Sequence, residues 1–67
     1  MITEEQAIAL EQVAVAITEL QHAVFNNTIS IEAFAGIVDT CVEVVENAVG
    51  LLGEQAVKQF VEEFHKT

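Results

Sequence analysis

Glu19-Leu-Gln-His22 and Glu62-Glu-Phe-His65 share the Glu-x-x-His spacing. On a helix, that spacing puts a carboxylate and an imidazole one turn apart. Two such pairs plus two further glutamates make the ligand set of di-iron helical bundles, and Glu43 and Glu46 are candidates for the extra pair. The chemistry requires every ligand to project into the bundle. Glu19 and His22 instead lie about 140° and 160° round the helical wheel from the apolar stripe of their segment. Glu62 lies nearly opposite Phe60 and Phe64. A metal-binding bundle is therefore an alternative that needs an oligomer to bury those faces, and no cofactor or metal ligand is assigned.

The nucleophile candidates are poorer. Cys41, the one cysteine, falls in the middle of an apolar helical seam. A reactive thiol needs a lowered pKa from a nearby cation or helix N-terminus, together with partial exposure. Cys41 has neither neighbour and reads as a small hydrophobe. Ser30, the one serine, sits at a helix start and is occupied as a cap. Gly36, Gly50 and Gly53 follow no strand and form no phosphate loop. No catalytic constellation assembles, so the chain is read as non-enzymatic. Asp39-Thr40 with Val42-Glu43 has the composition of the recognition helix of acyl carrier proteins. It lacks that family's serine, spacing and long interhelical loop, which excludes the family.

Charge narrows the partners. The chain has 67 residues, 11 acidic and two basic, for a formal net charge of −9. The first positive residue is Lys58. Contact with nucleic-acid phosphates needs lysine and arginine to displace counterions, so direct nucleic-acid binding is excluded, and attachment to an anionic membrane fails for the same reason. Apolar residues nonetheless make up 52% of the chain, too many for a disordered acidic tail. No signal peptide or membrane span is visible. A cytoplasmic location and a bacterial or viral accessory role are the base-rate expectations.

The elements that carry these residues are helical. Thr3 and Gln6 form a capping-box pattern, with Glu4 and Glu5 in the first turn. Leu10, Val13, Ile17, Leu20 and Val24 then recur at steps of three and four, which predicts a core stripe on a helix from about residue 4 to 25. Asn26-Asn27-Thr28 marks a turn, since asparagine tolerates left-handed backbone and bonds locally. Ser30 reads as an N-cap, with Ile29 and Phe34 placed as a hydrophobic staple. Phe34, Val38, Cys41, Val45, Ala48 and Leu52 make a heptad seam on a second helix, about 31 to 52. Gly53 is placed to end it, and Ala56, Val57, Phe60, Val61 and Phe64 form a short third helix, about 54 to 65.

The expected fold is all-α: one domain, residues 1–67, in which a helical hairpin and a short third helix form a small bundle completed by dimerisation. A domain this small is marginal alone, one cysteine makes no internal disulfide, and the apolar surplus suits a homodimer. Ile8 and Val15 lie about 160° to 180° from the helix 1 stripe, among charged residues, and mark a second contact surface. The partner or oligomer interface is assigned to Ile8, Val15, Ile37, Val44, Leu51, Phe60 and Phe64. The leading function is an acidic protein–protein interaction module, a homo-oligomeric regulator or inhibitor that binds itself and another protein through apolar helix faces. A further alternative uses the ridge Glu32, Asp39, Glu43 and Glu46 as a mimic of DNA phosphates, or as a docking face for a basic, nucleic-acid-binding protein.

Overall fold

The computed structural model describes residues 2–26 and 28–66. It is an all-α bundle of three helices, α1 (Glu4–Phe25), α2 (Ile31–Leu52) and α3 (Glu54–Lys66), with no strand among the described residues. No described helix is long and apolar enough to cross a membrane.

Local chemistry sets the ends. The Thr3 hydroxyl accepts from the Gln6 N–H at 3.1 Å, and the Thr3 N–H donates to Gln6 Oε1 at 3.0 Å, so two backbone donors that the helix leaves orphaned are satisfied reciprocally. Gln6 also donates through Nε2 to the Leu51 carbonyl at 3.0 Å. One side chain thereby caps the start of α1 and ties it to the end of α2, which fixes the two helices as antiparallel. Ser30 Oγ accepts from the Ala33 N–H at 3.1 Å and caps α2.

At Asn26 the turn between α1 and α2 uses the hydrogen-bonding capacity of the side chain and not left-handed backbone. Asn26 is extended, at φ −97° and ψ 98°. Its Oδ1 accepts from both the N–H and the hydroxyl of Thr28, at 3.1 and 2.7 Å. No non-glycine residue among those described has positive φ. Asn27, the middle of the expected turn signal, lies outside the described residues. Gly53 caps α2 at φ 94° and ψ 153°, a region essentially reserved for glycine. A single residue thus reverses the chain into α3.

The buried face of α1 differs from the expected stripe. Its fully covered residues are Ala9, Val13, Ala16 and Ala23, whereas Val24 is 59% exposed and Leu10, Ile17 and Leu20 are only partly buried. The real contact face is rotated by about 60° from the row of large apolar residues. Ala9, Ala16 and Ala23 are spaced seven apart, and small side chains let helix axes approach toward the short end of the usual 8–10 Å range. Ala48 from α2 and Val57 from α3 join Ala9 and Val13 in one buried cluster. Among the described residues, Val13 is the one large side chain that is fully buried. Partly buried residues surround this cluster, among them Val44, Leu51 and Phe60.

The bundle is long for its mass. Its radius of gyration is 12.7 Å, where a compact domain of this length has about 11 Å. Two arms of 22 residues each set the long axis, and α3, with 13, thickens the hairpin at one end only. At about 1.5 Å per residue, α3 falls short of the hairpin by about 13 Å.

Candidate functional site

Two grooves run along opposite sides of the α1–α2 seam. The first is lined by Ile8, Glu11, Gln12, Val15, Ala16 and Glu19 of α1 and by Ile37, Thr40 and Val44 of α2, with a volume of about 430 Å³. Ile8 and Val15 lie one heptad apart and are 48% and 51% exposed. Glu11 and Glu19 flank them at about 40° to either side on the wheel. The groove therefore has an apolar floor with a carboxylate on each side of its α1 wall. Four of the seven residues assigned to an interface from sequence meet here: Ile8, Val15, Ile37 and Val44.

The other three lie elsewhere. Leu51 and Phe60 are partly buried against the central cluster, because α3 folds back onto the end of the hairpin. Phe64 is half-buried and stacks on Phe60, with ring centroids 6.3 Å apart.

The second groove lies beyond the end of α3. Ile17, Leu20, Gln21, Val24 and Phe25 of α1 line it with Val45 of α2 and Val61 and His65 of α3, around about 560 Å³. Among the described residues no carboxylate lines it, and His65 is its one ionisable group. Sequence reasoning assigned Ile17, Leu20 and Val24 to the core and so missed this surface. The readable signal was the length of the third helix, too short to cover them.

The acidic ridge is solvent-facing throughout: Glu32, Asp39, Glu43 and Glu46 are all exposed. They span an arc of about 60° on α2, turned away from Ala48. The two Glu-x-x-His pairs do not meet. Glu19 and His22 line a shallow depression with Ala23, Asn26, Ile29 and Ile37, while His65 lines the groove beyond α3. Among the described residues, no group of three or more His, Cys, Asp or Glu side chains is placed to hold a metal ion. Cys41 is half-buried, and Ser30 serves as the cap of α2.

No protein-family model, curated protein or solved structure matches this chain.

Proposed function

We propose that this protein is a small, acidic, non-enzymatic interaction module whose acid-lined groove takes a basic, amphipathic helical segment of a partner protein, and so regulates or blocks that partner. The observation that carries this reading is the meeting of Ile8, Val15, Ile37 and Val44 between Glu11 and Glu19. Helix-in-groove recognition needs an apolar trough for residues spaced three and four apart. Carboxylates at the rim then select lysine and arginine on the flanks of the incoming helix. The net charge of −9 steers a basic partner toward the whole molecule and repels an acidic one.

The test uses two synthetic amphipathic helical peptides with the same leucine face, one with lysine and one with glutamate on its polar face. The lysine peptide is expected to bind, with affinity that falls as salt rises, and the glutamate peptide is not. Ile8→Glu with Val15→Glu should abolish binding while helix content stays intact, since both residues are surface-exposed. Equal binding of the two peptides, or undiminished binding by that double variant, overturns the reading.

The exposure of all four ridge carboxylates on one arc supports a second reading, an acidic inhibitor that occupies the phosphate-binding face of a nucleic-acid-handling protein. The same titration separates the two. Asp39→Asn, Glu43→Gln and Glu46→Gln together weaken peptide binding only slightly under the groove reading, through the lower net charge, and remove it under the ridge reading.

A further inference from the structure

We infer that the apolar groove beyond α3 is a self-association face, covered in solution by the same face of a second copy of this chain. The surface area calls for such a cover. The chain exposes 5013 Å², whereas a folded monomer of 7.3 kDa exposes about 4,200 Å². The excess of 5013 Å² over that expectation, about 800 Å², is comparable to what each partner buries in an interface of standard size.

Charge selects the occupant. Two copies each carrying −9 approach closely only through a surface free of carboxylates. The acid-lined groove fails that condition, because Glu11 and Glu19 of one copy would meet those of the other. Among the described residues, the lining of the groove beyond α3 satisfies it, with His65 its one ionisable group. An acidic chain therefore tolerates its own copy on this side and resists it on the other.

The residues around the groove extend the same surface. Val24 is 59% exposed and Phe25 83%. On α2, Val42, 49% exposed, continues the apolar arc from Val45 through Val38, at steps of about 20° to 40° on the wheel, and forms its outer edge, with Glu46 about 40° beyond at the rim. Third-helix cover ends at the level of Val61 and His65, so the upper halves of α1 and α2 form a two-helix layer with one side open. Two such layers facing each other about a two-fold axis make a four-helix bundle, and a two-fold interface uses the same patch on both subunits. This inference is independent of the partner assigned to the acid-lined groove.

Sedimentation equilibrium of the full chain over a ~100-fold range of concentration provides the test, because association of this kind depends on concentration. A dimer mass is expected. Val24→Glu with Val42→Glu should raise the dimer dissociation constant at least ~30-fold, the size of a central interface anchor, with helix content by circular dichroism unchanged. Both positions are surface-exposed in the monomer, so the variant folds. Ile8→Glu with Val15→Glu should leave the dimer intact while abolishing binding of the lysine peptide, so each surface fails separately. A folded wild-type chain that stays monomeric throughout overturns the inference. So does a dimer that Ile8→Glu with Val15→Glu dissolves and Val24→Glu with Val42→Glu does not.

Discussion

The acid-lined groove and the apolar groove share the α1–α2 seam, yet they arise from different causes. The first exists because two apolar residues, Ile8 and Val15, sit on the charged side of α1 and find Ile37 and Val44 across from them. The second exists because α3 stops short, leaving Ile17, Leu20 and Val24 without a third layer. One is written in side-chain placement, the other in helix length. The difference teaches that apolar surface in a small bundle has two sources, and that only the first can be found by examining one helix at a time.

Substitutions that act on what the grooves share should damage both. Ala48→Leu places a large side chain where the helices touch through alanines, and overpacking of this kind costs about 3 kcal/mol. A domain of 67 residues has about 3–10 kcal/mol in total, so the variant should lose from about a third to all of its stability and weaken peptide binding and self-association together. Urea denaturation followed by circular dichroism measures this, and an unshifted midpoint would break the idea of a common seam.

Gly53→Ala should separate the grooves. A Cβ there meets nothing within 4 Å, so the cost comes from backbone conformation alone, about 2 kcal/mol at φ 94° and ψ 153°. That strain falls on the α2–α3 junction. The apolar groove, which has Val61 and His65 as one wall, should weaken, while the acid-lined groove, built from α1 and α2 only, keeps its peptide affinity. Faster amide exchange in α3 than in α1 is the accompanying signature, and equal loss at both grooves would contradict it.

Gln6→Ala removes a cap and the bond to the Leu51 carbonyl. The expected loss is about 1–1.5 kcal/mol, seen as a lower thermal midpoint with both binding activities retained below it. The smallest effect belongs to Gly36→Ala. Gly36 is helical and exposed, with open space where a Cβ would stand, so the change should stabilise the chain by about 0.5–1 kcal/mol. Neither groove includes Gly36, so both affinities should hold, and a change in either would extend that groove's boundary.

The helix ends were legible because caps are chemistry of neighbouring residues. Thr3 with Gln6, Ser30, and Gly53 each mark an end within a few positions, and the helices run as those signals indicate. The face of α1 was less legible. Large apolar residues dominate any reading of periodicity and pointed to Leu10, Ile17 and Val24, while the close contact is made by alanines whose spacing of seven carries little hydrophobic weight. The second bond of Gln6, to Leu51, joins residues far apart in sequence and has no local signature. Ile8 and Val15 were legible as misplaced apolar residues. That they face Ile37 and Val44, and that Leu51 and Phe60 are drawn inward by α3, are facts of tertiary packing.

The alanine seam also bears on how such a chain can change through time. At a buried alanine, a larger side chain costs stability by overpacking and glycine costs it by added backbone freedom. Ala9, Ala16 and Ala48, all buried, are therefore points where drift is slowed. The groove walls carry no such restriction: an exposed valine or isoleucine can be exchanged for leucine, methionine or threonine at little cost in stability. Divergence in descendants of this chain should collect along the grooves, so that new binding preferences arise on a seam that stays the same.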